Sequence, residues 1–282
     1  KAILEQTMYK KKPFILLYCL KIIFMQTDLQ IAIIQKDLVW ENATKNRAKL
    51  DVMLEEIQNV DLIVLPEMFT TGFSMTPKPL AEIMNGETIS WMQHKAILFD
   101  AAIIGSIIIK EENNFYNRLL FVYPNGTIKK YDKRHTFTLA GEHKEYTSGK
   151  NKLIVDYKGW KIRPLICYDL RFPVWSRNVE EYDLLLYVAN WPKPRINAWK
   201  TLLKARAIEN MSYCIGVNRV GIDANGYEYS GSSIAIDFLG NEITEVEENT
   251  EKIIYATLSK NELIDLRAKL PFLKDKDQFT IH

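Results

Sequence analysis

The stretch KIRPLICYDLRFP, residues 161–173, places a short apolar strand directly before a cysteine and the start of a predicted helix. Strand ends are where α/β folds collect reactive side chains, so Cys167 is the first candidate for chemistry. At a helix N-terminus, the positive end of the helix dipole would favour the thiolate, which is the nucleophilic form. The alternative is an inert cysteine that packs as a small buried hydrophobe.

Outward from this stretch, short apolar strands alternate with helical patterns. Towards the N-terminus we predict strands at 29–35, 61–65 and 102–110, and helices at 42–58 and 89–99. Hairpins are predicted where turn residues separate two strands, at 116–131 and 153–166. Towards the C-terminus we predict strands at 184–188, 213–217, 232–237 and 252–257, and helices after Cys167, at 195–211 and at 260–270.

This order of elements predicts an α/β fold with two sheets, because two βαβα halves carry added hairpins. No linker rich in Gly, Pro or Ser divides the chain, so residues 25–282 are predicted to form one domain. Residues 1–24 resemble the start of a signal peptide, with three lysines before an apolar run. We interpret them as a translation artefact upstream of Met25, and a signal peptide or interfacial anchor is the alternative.

Charge and cysteine content exclude several classes of protein. The 282 residues include 37 Lys+Arg and 35 Asp+Glu, with no dense basic tract, which argues against a nucleic-acid partner. The apolar run at 13–24 is too short to span a bilayer, so no membrane partner is expected. Cys19, Cys167 and Cys214 are too few and too scattered for a disulfide framework or a zinc ribbon. A cytoplasmic protein with reduced thiols is therefore expected.

Three further polar residues follow predicted strands, and one of them is Asn190, after residues 184–189. Glu67 comes directly after an apolar strand and a proline, which is an unusual place for a carboxylate, and Lys133 follows the strand that ends at Tyr131. None of the four histidines stands in a recognisable Cys/His signature, so Glu67 is the better candidate for a base that takes the thiol proton of Cys167. A solvated residue at the start of a loop is the alternative for Glu67.

Together these residues resemble a known family. Its motifs are matched in order by Leu65-Pro66-Glu67, by Tyr131-Asp132-Lys133-Arg134-His135 and by Cys167-Tyr168-Asp169-Leu170-Arg171-Phe172-Pro173. These look like the Glu, Lys and Cys motifs of the nitrilase superfamily, the carbon–nitrogen hydrolases. The resemblance covers about residues 27–270, and three ordered motifs are far more specific than any one alone.

The resemblance implies a four-layer α-β-β-α sandwich of two mixed sheets and an amidase that needs no metal or organic cofactor. It implies that Cys167 is the nucleophile and Glu67 the base, and that Lys133 and the backbone N–H of Tyr168 stabilise the oxyanion. A second glutamate falls on Glu142, whereas we interpret the nearby Glu145 as a solvated loop charge.

The branch of the family is indicated by residues beside the cysteine and after a later strand. Tyr168-Asp169 after the cysteine resembles amidases rather than nitrile-hydrolysing members, and the segment 189–195 (ANWPKPR) is similar to bacterial ω-amidases. That branch implies 2-oxoglutaramate or 2-oxosuccinamate as substrate. Another Nit-type specificity, such as deaminated glutathione, and a non-catalytic binding protein of the same fold remain open.

Such substrates are anions, so a cation is expected near the nucleophile. Arg195 is our candidate; Arg171 and Arg219 are weaker ones, and for Arg171 we favour a structural salt bridge. Trp191, Phe137 and Phe73 are candidate walls of the pocket, although aromatic side chains are more often plain core. A homodimer or higher homo-oligomer is expected.

Overall fold

Two β-sheets form the centre of the molecule in this computed structural model, which describes residues 28–281. The interpretation of residues 1–24 as an artefact or a signal peptide, together with Cys19 and Met25, therefore falls outside the described part of the chain. Within residues 28–281 no helix has the length and apolar character needed to cross a membrane.

The first sheet has six strands in the order β13-β1-β2-β3-β4-β5, and the second has five in the order β12-β9-β8-β7-β6. Strands β10 and β11 form a separate hairpin. Numbered in chain order, the strands are β1 (Asp28–Gln35), β2 (Leu62–Val64), β3 (Ala102–Glu111), β4 (Asn114–Val122), β5 (Ile128–Asp132), β6 (Val155–Tyr157), β7 (Trp160–Ile166), β8 (Leu184–Val188), β9 (Tyr213–Val217), β10 (Val220–Ile222), β11 (Glu228–Ser230), β12 (Ile234–Ile236) and β13 (Lys252–Ser259).

Helices cover the outer faces of the sheets, and short helical turns lie in the loops. The helices are α1 (Ala43–Leu54), α2 (Pro77–Leu80), α3 (Glu87–Phe99), α4 (Glu142–Glu145), α5 (Pro173–Ser176), α6 (Ile196–Asn210) and α7 (Lys260–Lys269).

Strand β1 shows how the sequence produces the layers. Successive side chains of a strand point to opposite faces, so Ile31 and Ile33 pack towards the second sheet while Ala32 and Ile34 pack towards α1 and α3. All four are buried, and burying an isoleucine side chain contributes about 1.5–3 kcal/mol relative to leaving it exposed. On the far side Trp199, Leu203 and Ala207 of α6 cover the second sheet. The predicted four-layer α-β-β-α sandwich is confirmed.

The predicted elements mostly match the observed ones, and β8 and β9 have the predicted bounds. The prediction of a helix directly after Cys167 is wrong. Residues Cys167–Arg171 form a 3₁₀ segment instead, and one turn of α-helix, α5, begins only at Pro173. The helix predicted at 42–58 is α1, which ends earlier, at Leu54.

Sheet topology brings the candidate residues to one edge. Strands β1, β2 and β3 are mutually parallel, as are β7, β8 and β9, so within each sheet three carboxyl ends lie side by side. Glu67 follows β2, Cys167 follows β7 and Asn190 follows β8. The ends of the two sheets meet there, since the backbone N–H of Asn190 donates to Glu67 Oε2 at 2.8 Å.

Candidate active site

A buried cluster of three charged side chains lies where the sheets meet. Lys133 Nζ donates to Glu67 Oε1 at 2.9 Å, and to Glu142 Oε1 and Oε2 at 3.0 and 2.9 Å. Glu67 comes from the loop after β2, Lys133 from the residue directly after β5, and Glu142 from the first position of α4. None of the three exposes more than 1% of its surface. The residues predicted as base, oxyanion cation and second glutamate thus lie in direct contact.

Charge in this cluster shifts the pKa of two of its members. Burial alone would lower the pKa of Lys133, but the carboxylates of Glu142 and Glu67 outweigh it and raise that pKa well above its usual range. Burial raises the pKa of the Glu142 carboxyl, and Glu67 adds to this while Lys133 opposes it. Lys133 therefore stays an ammonium throughout the physiological range.

Cys167 directly follows β7 and has a left-handed backbone conformation, with φ of 44°. Non-glycine residues rarely adopt this conformation, which turns the chain sharply at the end of the strand. Burial raises the pKa of the thiol well above its usual value, and the neighbouring Glu67 carboxylate raises it further against the opposing effect of Lys133. The α-helix expected to stabilise a thiolate does not begin at Cys167, because the segment that follows is 3₁₀. The raised pKa favours the thiol form, so the proposed reaction needs a base to take its proton.

Asp169 explains why a 3₁₀ segment follows the cysteine. Its buried carboxylate accepts the backbone N–H of Ile166 at 3.1 Å, the backbone N–H of His135 at 3.0 Å and the hydroxyl of Tyr131 at 2.7 Å. These bonds tie the loop that carries Lys133 to the segment that carries Cys167. Asp169 thus fixes the distance between the two motifs.

Two asparagines hold Glu67, and neither has a role in the sequence-based prediction. Asn190 follows β8, and its Nδ2 donates to the backbone oxygen of Glu67 at 2.7 Å, in addition to its N–H bond. Asn117 lies in the middle of β4, and its Nδ2 donates to Glu67 Oε1 at 2.8 Å. Its position after a predicted strand singles out Asn190 in the sequence, but does not show what it binds. Nothing in a strand pattern marks Asn117, because only the fold shows what faces it.

The cluster adjoins a cavity of about 690 Å³ through Lys133. We call the part of this cavity lined by Lys133 and Cys167, together with the cluster beneath it, the bottom, and the part lined by Arg171 and Arg195 the mouth. The residues predicted as pocket walls line the cavity as well. Lys133 Nζ lies 5.0 Å from the ring centre of Phe73, and Phe137 packs against Tyr168 with 4.9 Å between ring centres. The remaining lining residues include Trp40, Glu41, Ser74, Met75, Leu139, Arg171, Asn190, Trp191, Arg195, Asp223, Tyr227 and Tyr229.

The three arginines considered as substrate anchors lie in different places. Arg195 lines the cavity, with its guanidinium 5.4 Å from the ring centre of Phe137. Arg171 also lines it, 5.0 Å from the ring centre of Trp191. The salt bridge favoured for Arg171 is wrong, since Arg171 has no carboxylate partner among residues 28–281. Arg219 is fully buried, is paired with Asp37 at 2.8 Å and is not among the residues that line the cavity.

Glu145 is exposed at the end of α4, as predicted for a solvated charge. Across residues 28–281, no three side chains among His, Cys, Asp and Glu are placed to hold one metal ion.

Comparisons with known proteins agree with this geometry. The carbon–nitrogen hydrolase family model matches residues 30–268. An omega-amidase YafV from Yersinia enterocolitica is 47% identical over 90% of this chain and 99% of its own length. A 2-oxoglutaramate amidase from Bacillus subtilis is 32% identical over 87% of this chain and 96% of its own length.

Among solved structures, a CN-hydrolase superfamily protein from Xanthomonas campestris, with an arsenic adduct in its active site, superposes with a TM-score of 0.89. It is 42% identical, and the match covers 91% of this chain and all of that one. With a family model that matches most of its length, and with relatives this similar over nearly all of theirs, the chain belongs to the carbon–nitrogen hydrolase family.

Proposed function

We propose that this protein hydrolyses the terminal amide of small ω-amides to the acid and ammonia, and that 2-oxoglutaramate or 2-oxosuccinamate is its substrate. The observation that carries the proposal is one cavity lined by the Cys167 thiol and by Lys133, which is ion-paired with the buried Glu67. Two arginines that have no carboxylate partner among residues 28–281 line the same cavity. The similar proteins named as omega-amidase and 2-oxoglutaramate amidase support it.

In the first half-reaction, Glu67 takes the proton of the Cys167 thiol as the sulfur attacks the amide carbonyl carbon. The carbonyl π electrons move to oxygen, and the oxyanion is stabilised by Lys133 and the backbone N–H of Tyr168. An ammonium has three N–H groups. Because Lys133 uses one towards Glu67 and one shared between the two oxygens of Glu142, the third is available to the substrate.

Collapse of this intermediate breaks the C–N bond. Glu67 returns the proton to the departing nitrogen, so that ammonia leaves and a thioester to Cys167 remains. Water then attacks the thioester carbonyl while Glu67 takes a water proton. The C–S bond breaks, and the proton on Glu67 restores the thiol. Glu142 holds Lys133 in place through both halves, since its two oxygens lie 2.9 and 3.0 Å from Nζ.

The substrate carboxylate binds Arg195, which lies on the cavity wall, and Arg171 is the second cation available to it. Trp191, Phe137 and Phe73 form apolar walls along the carbon chain between the carboxylate and the amide. Arg195 and Arg171 are the arginines that face this cavity, so charge recognition depends on them rather than on the overall balance of +2.

The enzyme acts in the cytoplasm as a homodimer in this proposal. Val174 of α5 and Ile208 of α6, which are 55% and 49% exposed, are apolar side chains available to such an interface.

Ammonia release across a panel of amides tests the proposal. The panel contains 2-oxo-ω-amides, ordinary ω-amides such as glutamine, N-carbamoyl compounds, deaminated glutathione and nitriles. We expect the highest kcat/KM for the 2-oxo-ω-amides. Preference for deaminated glutathione would contradict the proposed substrate but not the proposed amide hydrolysis. No ammonia from any compound would favour a binding protein and contradict the proposal.

A further inference from the structure

Asn117 occupies a place in the buried cluster to which the proposed reaction assigns nothing. It lies on β4 with 1% of its surface exposed, and its Nδ2 faces both carboxylates, at 2.8 Å from Glu67 Oε1 and 3.4 Å from Glu142 Oε1. Its backbone is fixed as well, because its carbonyl oxygen accepts the N–H of Lys133 at 3.0 Å. One residue thus touches all three charged members of the cluster.

The charges of the cluster do not balance. Two carboxylates, Glu67 and Glu142, share the single ammonium of Lys133, and all three side chains are buried. An unbalanced buried carboxylate tends to take up a proton, unless hydrogen-bond donors favour its ionised form. The NH₂ group of Asn117 supplies two such donors without adding charge.

The orientation of the asparagine agrees with this role. Its Oδ1 is buried and accepts no hydrogen bond from any of residues 28–281. A buried amide oxygen without a partner is unfavourable, and in a purely structural asparagine both ends of the amide are usually bonded. Asn178 is such a case: its Nδ2 donates to the backbone oxygens of Tyr182 and Asn210, and its Oδ1 accepts the N–H of Tyr182.

We propose that Asn117 is a positioning residue that holds the two carboxylates that share Lys133 and keeps Glu67 directed at Cys167. The inference rests on the proposed function in one respect, the role of Glu67 as the base. The titratable groups that face the cluster are Cys167 from the end of β7 and Tyr146, which directly follows α4. Neither brings a positive charge. The backbone N–H groups of Asn190 and Phe137 donate to the Oε2 atoms of the two carboxylates, whereas Asn117 donates to their Oε1 atoms.

Two substitutions test this role. Asn117→Asp keeps the shape, replaces the donors with an oxygen and adds a third carboxylate. Asn117→Ala removes the donors without adding charge, and serves if the aspartate variant does not fold. Without these donors the carboxylate pair should take up a proton at higher pH, and it is then less able to accept one from Cys167.

The readout is the rate at which methyl methanethiosulfonate modifies Cys167, followed by mass spectrometry of the peptide across pH 4–9. We expect the acid-side midpoint of this profile to move up by about one pH unit in Asn117→Ala and further in Asn117→Asp. On an amide that the wild-type protein hydrolyses, kcat should fall about 10- to 100-fold with little change in KM.

Asn178→Ala is the matched control, because it removes a buried asparagine side chain that bonds only backbone groups. It should lower the unfolding temperature and leave the midpoint where it is in the wild-type protein. A midpoint that is also unchanged in both Asn117 variants would overturn the inference. The thiol assay needs no turnover, so absence of ammonia release from the wild-type protein would overturn the proposed function while the role of Asn117 is still tested.

Discussion

The charged side chains at the bottom of the cavity differ from those at its mouth in whether they are paired with opposite charges. At the bottom, Glu67, Lys133 and Glu142 are buried and bonded to one another. At the mouth, Arg171 and Arg195 face the cavity without a carboxylate partner among residues 28–281. The charges at the bottom are thus compensated within the protein, whereas the two arginines at the mouth can be compensated by an anionic ligand. We therefore expect changes at the bottom to act on kcat and changes at the mouth to act on KM.

The effect of removing a charged side chain on the free energy of unfolding differs between the two regions for the same reason. Removing one partner from a buried ion pair typically destabilises a protein by about 3–5 kcal/mol, because the other charge is left without compensation. An exposed charge contributes about 0–1 kcal/mol, since water screens it. Stability measurements should therefore separate the bottom from the mouth even before activity is measured.

The largest effect is expected from Cys167→Ala. Without the sulfur no thioester forms, so ammonia release should fall to background, while the unfolding temperature changes little because a thiol and a methyl group are similar in size. Cys214→Ala is the control, since Cys214 is fully buried in β9 away from the cavity lining. Ammonia release by the Cys167 variant at the wild-type rate would contradict the proposed nucleophile.

Lys133→Met should have the next largest effect. It removes the donor proposed for the oxyanion and leaves two buried carboxylates without a cation, so kcat should fall about 10²- to 10³-fold or more. The unfolding temperature should fall as well. Single-turnover measurement of thioester formation locates the defect in acylation. Acylation at the wild-type rate would exclude the oxyanion role of Lys133.

The two glutamates of α4 provide a matched pair. Glu142→Gln weakens the hold on Lys133 and should lower kcat about 10- to 100-fold, because Glu142 is buried against the ammonium. Glu145→Gln changes a residue three positions along the same helical turn that is exposed, and steady-state kinetics should not change. Equal losses in both variants would mean that the helix, rather than the Lys133–Glu142 contact, is what matters.

How much the sequence predicts also differs between parts of the molecule. The bounds of strands β8 and β9 are predictable, because these strands are buried on both faces and consist of short apolar runs. Two members of the charged cluster, Glu67 and Lys133, are predictable because each follows a strand and matches a family motif, whereas Glu142 is implied by the family resemblance alone.

Asn117 and the segment after Cys167 could not be predicted in this way. Asn117 stands in the middle of β4, where its neighbours in sequence do not show that two carboxylates face it. The helix predicted after Cys167 fails because a long-range bond decides the local structure. The carboxylate of Asp169 accepts the N–H of His135, 34 positions away in the chain.

The smallest effect is expected at the mouth. Arg195→Ala should raise KM for 2-oxo-ω-amides about tenfold and leave kcat nearly unchanged, because a carboxylate loses a charge-assisted hydrogen bond. KM for a neutral amide of the same length should change little. Lys193→Ala is the control, since Lys193 is two residues away, outside the cavity lining and paired with Glu228. Arg171→Ala decides between the two arginines: if it alone raises KM for the anionic amides, Arg171 is the anchor. An equal rise in KM for neutral and anionic amides in both variants would mean that neither arginine recognises the substrate carboxylate.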